Sequence, residues 1–153
     1  MTSLKVLIDE YTESHSNPTN VWIHKICVPL IMFSLLGIIK AFPVPESWPL
    51  WFDFSHVFVM FALVYYMTFK NWRVMLVMLV QVIPMLLILE WLRPRFLLLS
   101  LAIFIVAWIG QFIGHKIEGK KPSFLKDLQF LLIGPVWTVN NTLAKMGVDL
   151  KIS

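Results

Sequence analysis

Charge and cysteine are both scarce in this chain, and each scarcity removes possibilities. Aspartate, glutamate, lysine and arginine make up 14% of the 153 residues against 58% hydrophobic ones. That is far from the mixture of a soluble domain and points to a single integral-membrane domain over residues 1–153. A single cysteine, Cys27, excludes an intramolecular disulfide framework and a cysteine-built zinc site. Its apolar neighbours argue against an activated thiolate and for packing as a small apolar residue. There is no glycine-rich phosphate loop, no His-Glu-x-x-His zinc motif, no internal repeat and no low-complexity segment. The formal net charge of +4 does not imply nucleic acid, because the basic residues stand at the ends of apolar runs and no binding motif accompanies them. Asp9, Glu10 and Glu13 precede the first long apolar run, which is the wrong charge pattern for a cleavable secretory signal.

What the chain does have is a series of apolar runs separated by polar turns. From Thr2 to Ser14, Leu4, Leu7, Ile8 and Tyr11 fall at helical spacing, which predicts a short amphipathic helix at the membrane surface. Asn17 followed by Pro18 is a good helix start, with a capping side chain and then proline at the first helical position. The helix that begins there runs through Trp22 and His24 into the apolar stretch 26–41, with Pro29 predicting a kink or a freed carbonyl. Pro43, Pro45 and Pro49 must break it. Further apolar runs cover 54–69, 74–89 and 96–114, joined by the turns Lys70-Asn71-Trp72-Arg73 and Glu90-Trp91-Leu92-Arg93-Pro94-Arg95. Each is somewhat short of the roughly 20 apolar residues that cross a bilayer. After a charged loop, Lys116 to Asp127, the run Leu128 to Leu143 is interrupted by Gly134-Pro135 and carries Thr138, Asn140, Asn141 and Thr142. These features favour a helix at the interface or covering the bundle over a fifth span. The expected fold is therefore an all-α polytopic membrane bundle of about four transmembrane helices, with an N-terminal amphipathic and a C-terminal interfacial helix.

Charge bias orients it. With four spans, Lys40, Arg93 and Arg95 fall on one side and the remaining ten of the 13 basic residues on the other. The positive-inside rule then places both termini in the cytoplasm. His15, His24 and His115 share that side, whereas His56 starts the second span on the opposite one.

Two of these histidines belong to helical constellations. Asn20 and His24 are four residues apart, as are Gln111 and His115, and Glu118 follows His115 by three, so each set shares a helix face. A His-x-x-Glu pair offers a nitrogen and an oxygen ligand in one direction. Imidazole and carboxylate suit iron or zinc, and three protein ligands leave positions open for water, oxygen or substrate. Against this, a single interfacial histidine is more often a hydrogen-bonded surface residue than a ligand, and Glu118 beside Lys116, Lys120 and Lys121 also reads as a weak surface ion pair.

Tyr11, His15, Asn17-Pro18, Asn20, His24 and Pro29, followed by the run from Trp108 through Gly114 to His115, then Glu118-Gly119-Lys120-Lys121-Pro122 and Gly134-Pro135, together resemble the membrane 2-hydroxy fatty acid dioxygenases, the family typified by the yeast enzyme of phytosphingosine degradation. The similarity covers nearly the whole chain in order. It implies an iron(II)-dependent α-oxidation in which a 2-hydroxy fatty acid reacts with O2, loses its carboxyl carbon and yields a fatty acid one carbon shorter. It also implies that His15, His24 and His115 are the catalytic histidines and hold Fe(2+). Asn17, Asn20, Gln111, Lys116, Glu118, Lys120 and Lys121 are then candidates for contact with the substrate, the lysines attracting its carboxylate. The expected location is the endoplasmic reticulum membrane in a eukaryote or the inner membrane in a bacterium. The alternative is a small non-enzymatic membrane protein that binds lipid or a partner, with histidines that merely anchor helix ends. A di-iron lipid hydroxylase would need more histidines than the four present.

Overall fold

A computed structural model describes residues 3–93, 95–121 and 129–152. Thr2, Pro94, Pro122, Lys126, Asp127 and Leu128, which enter the readings above, lie outside the described residues. Six helices follow in order: α1 (Leu4–Glu13), α2 (Pro18–Lys40), α3 (Phe54–Met67), α4 (Trp72–Trp91), α5 (Phe96–Glu118) and α6 (Phe130–Lys145). There is no strand among the described residues.

Local chemistry sets the helix starts. The Asn17 side chain accepts from the Thr19 amide with Pro18 in the first turn, the Asp53 side chain accepts from Ser55, and Asn71 accepts from Arg73 and Val74. Each satisfies amides that have no partner within their own helix. α2 continues through Pro29, which removes one helical hydrogen bond without ending the helix. Gly134-Pro135 likewise lies inside α6 instead of interrupting it, because Pro135 is buried among packed side chains that hold the helix on either side of it.

Among the described residues three helices, α2, α4 and α5, are long and apolar enough to cross a membrane, with 23, 20 and 23 residues. They exceed the apolar runs because the polar ends, such as His115 to Glu118, stay helical. The expected fourth span is shorter: α3 has 14 residues, or about 21 Å of helix against a hydrocarbon core of about 30 Å. Large apolar side chains such as Ile26, Phe61, Val80, Leu98 and Val106 are exposed around the bundle, and exposed Trp22, Trp72, Trp51 and Trp91 stand at the helix ends. This outward apolar surface with aromatic ends supports an integral membrane protein.

Packing is tightest between α2 and α5, which run antiparallel. A methyl group on Gly110 would meet Cys27 Sγ, and one on Gly114 would meet the Asn20 side chain and Ile23. Small residues thus bring the two backbones close, the usual device where lipid supplies no hydrophobic drive between helices. Cys27 does pack as the sequence suggests, half-buried against Gly110. α1 buries Leu4, Leu7, Ile8 and Tyr11, the four residues whose spacing points to a helix. That face meets protein: it joins Phe130, Ile133, Val136 and Trp137 of α6 and Tyr66, Val74 and Met78 of α3 and α4 in one apolar cluster. A second cluster, built on Leu36, Val82 and Leu89, fills the other end of the bundle.

Candidate metal centre

The short segment between α1 and α2 carries His15, the second turn of α2 carries His24, and the last turn of α5 carries His115. All three are buried, and their ligand atoms lie within 4.8 Å of one another. Nε2 of His24 and Nε2 of His115 are 3.2 Å apart. The rings of His15 and His24 meet edge to face with centroids 4.1 Å apart.

Backbone carbonyls settle which nitrogen is unprotonated in two of the rings. Nδ1 of His15 lies 2.6 Å from the Tyr11 carbonyl oxygen, and Nδ1 of His24 lies 3.0 Å from that of Asn20. A carbonyl can only accept, so Nδ1 carries the proton in each ring and Nε2 keeps its lone pair. The Nε2 of His15 is buried and has no hydrogen-bond partner. Burial pushes the His15 imidazole down to about 4; its bond to Tyr11 opposes this, and the neighbouring His115 adds to it. At neutral pH the ring is therefore uncharged, the form that ligates metals. Orphaned lone pairs deep in a protein are costly unless something occupies them. Three converging imidazoles fit a divalent transition metal that keeps other positions open, and this buried group can bind one.

Around the histidines, aromatic packing fixes the rings. Tyr11 stacks on His15 with centroids 4.1 Å apart and planes 3° from parallel, and Trp137 of α6 packs on the same imidazole at 4.9 Å. The Trp137 indole N–H donates to Thr12 Oγ1 at 2.9 Å, which ties α6 to α1. Sequence reasoning missed Trp137. Its signal is an aromatic residue two turns into α6, within Gly-Pro-Val-Trp-Thr, that the expected interfacial helix left unassigned.

Glu118, one turn beyond His115, clamps the His15 segment. Its carboxylate accepts from the Ser16 amide at 2.9 Å, Ser16 Oγ at 2.5 Å, the Asn17 amide at 2.9 Å and Asn20 Nδ2 at 3.0 Å. Asn20 is fully buried and also donates to the Ser14 carbonyl, so it and Glu118 bridge α2, α5 and the loop between α1 and α2. Asn17 serves as the α2 cap. Lys120 donates to the Glu13 carbonyl, closing the same clamp, while Lys116 and Lys121 are exposed around it. Gln111 is buried one turn before His115, and its Nε2 has no partner. Together with Tyr11 and His115 it lines one end of a mainly apolar cavity of about 420 Å³.

His56 is not in this group. It sits in the first turn of α3 against Asp53, whose carboxylate binds Lys40 at the C-terminal end of α2. From His24 to Lys40 is 16 residues, or about 24 Å of helix, so the fourth histidine belongs to the other end of the bundle.

Comparison with known proteins gives the family. A family model described as "Mpo1-like: 2-hydroxy-palmitic acid dioxygenase Mpo1-like" matches residues 1–146. The chain is 30% identical over 152 residues to the 2-hydroxy-palmitic acid dioxygenase MPO1 of Saccharomyces cerevisiae, covering 96% of this chain and 83% of the yeast protein. No solved structure matches. With the family model spanning nearly its full length, the chain belongs to the Mpo1-like family.

Proposed function

We propose that the protein is an iron(II)-dependent dioxygenase that converts 2-hydroxy fatty acids to fatty acids one carbon shorter, with O2 as co-substrate. The observation that carries this reading is the trio of buried imidazoles, two with Nδ1 held by a backbone carbonyl and Nε2 left with its lone pair. Family membership supports the substrate class, since the yeast relative is a 2-hydroxy-palmitic acid dioxygenase. His15, His24 and His115 hold the iron. When bound, iron supplies the oxygen chemistry that no side chain of this set can perform.

The remaining residues bind and orient. Lys116 and Lys121, exposed at the rim, draw the carboxylate toward the site through their charge. Gln111 lines the cavity together with His115, and its Nε2, a buried donor without a protein partner, donates to an oxygen of the 2-hydroxy acid head. Glu118, Asn17, Asn20 and Lys120 keep the His15 segment on the ends of α2 and α5, so they act on the site through position. Tyr11 and Trp137 shield His15 from water. α3 makes the fourth crossing, since its first residues meet Lys40 at the far end and its Tyr66 hydroxyl donates to the Leu132 carbonyl of α6 near the histidines. Both termini then share the cytoplasmic face.

The test is incubation of purified protein with iron(II), O2 and a long-chain 2-hydroxy fatty acid. The expected result is the acid one carbon shorter, formed only when all three additions are present. Protein that carries no stoichiometric iron after anaerobic purification, and forms no product, would instead be a lipid- or partner-binding member of the family.

A further inference from the structure

The cavity beside His115 joins the two apolar clusters of the bundle. At one end its walls are Tyr11, Gln111 and His115; at the other they are Leu36, Phe58 and Val82. Leu36 and Val82 are buried members of the second cluster, and Phe58 packs against it. Apart from Trp108, the polar residues that reach the cavity stand at the histidine end, and the walls beyond are aliphatic or aromatic. A site built this way fits an amphiphile in one orientation only, with its polar head at Gln111 and the histidines and its tail running toward Leu36.

Its length is readable along α2. From His24 to Leu36 is 12 residues, or about 18 Å at 1.5 Å per residue, slightly more than the roughly 15 Å of one bilayer leaflet. A long acyl tail of the kind found in membrane lipids spans that distance. We propose that the tail of the 2-hydroxy acid lies in this cavity along α2, and that Leu36, Phe58 and Val82 form the floor that sets the longest chain accepted. The inference rests on the dioxygenase reading for the identity of the head group, but the placement of the tail is a separate claim.

Binding separates the two. In nanodiscs, displacement of a fluorescent long-chain fatty acid by saturated 2-hydroxy acids of stepped length should show affinity rising with each methylene until the tail reaches the floor. In Val82→Phe the plateau should come several carbons earlier, with acids beyond it bound at least about tenfold more weakly and short acids unchanged. In Phe58→Ala it should move to longer acids, a gain of function that a misfolded variant cannot imitate. Identical plateaus in the wild type and both variants would overturn the proposal, as would an affinity that ignores chain length, which is the result expected if bilayer lipid fills the cavity instead. Shifted plateaus without turnover would uphold the tail site and refute the oxidation. Turnover with unshifted plateaus would do the reverse.

Discussion

The two ends of α2 both bury polar groups, and they treat them in opposite ways. At the C-terminal end, Lys40 is almost wholly enclosed and pairs with Asp53 at 2.5 Å and Glu90 at 2.9 Å. Glu90 in turn pairs with Arg93 at 3.0 Å, and Asp53 also accepts from Ser55. Burial alone would raise the Asp53 carboxyl, but hydrogen bonds from Lys40 and Ser55 and the charge of Lys40 hold it below its ordinary value. At the N-terminal end, by contrast, three buried imidazoles face one another, with His15 Nε2 and Gln111 Nε2 unpartnered. A network whose members satisfy one another has no valence left for a ligand. Several unsatisfied groups converging inside a well-packed shell, as at the histidines, leave valence for a ligand.

Mutations at the two ends should therefore differ in kind. The largest effect is expected from His15→Ala, His24→Ala and His115→Ala, each reducing bound metal to background in anaerobically purified protein, while His56→Ala keeps it. Retained metal in two of the first three would dissolve the distinction. Glu118→Ala comes next: it deletes the acceptor of four hydrogen bonds without removing a ligand. Metal affinity should fall about 10–100-fold, as for other residues that orient a ligand, with faster amide exchange confined to residues 14–20. Asp53→Ala should leave metal affinity untouched and cost about 3 kcal/mol of stability, since Lys40 would lose its closer partner inside the protein. The smallest effect is pH dependence at that lock. Because the folded-state pKa of Asp53 is depressed, its contribution is complete above the ordinary aspartate value near 4 and is lost as pH falls below it. Thermal unfolding of the wild type should become easier under those acid conditions, and the Asp53→Ala variant should show less of this loss.

Much of this contrast is legible in the sequence. Periodicity gives α1 its buried face, Asn17-Pro18 gives α2 its start, and the sorting of charges keeps His56 away from the other three histidines. Helix ends are less legible: hydropathy stops at Gly114, but the helix continues to Glu118 because Gly119, at φ 73°, supplies the left-handed residue that ends it. The spacing of His115 and Glu118 suggests a shared ligand direction. The structure instead turns the carboxylate toward Ser16 and Asn17, contacts about a hundred residues away in the chain that no local pattern encodes. The sequence marks Trp137 only as an aromatic residue beside Gly134-Pro135, because its role depends on α6 folding back over α1. The length of α3 was overestimated because apolar composition continues through Phe69, while the chain turns after Met67 to reach the Asn71 cap of α4.

Gly110 and Gly114 have a consequence beyond close packing. His24 and His115 ride on different helices with no covalent link between them shorter than 91 residues, so the distance between their ring nitrogens follows the distance between the helices. A side chain at position 114 would act as a shim: forced against Asn20 and Ile23, it would part the jaws of the site while leaving every ligand in the sequence. The protein thus gauges the spacing of His24 and His115 with two missing side chains, and the tolerance of that gauge is the thickness of a methyl group.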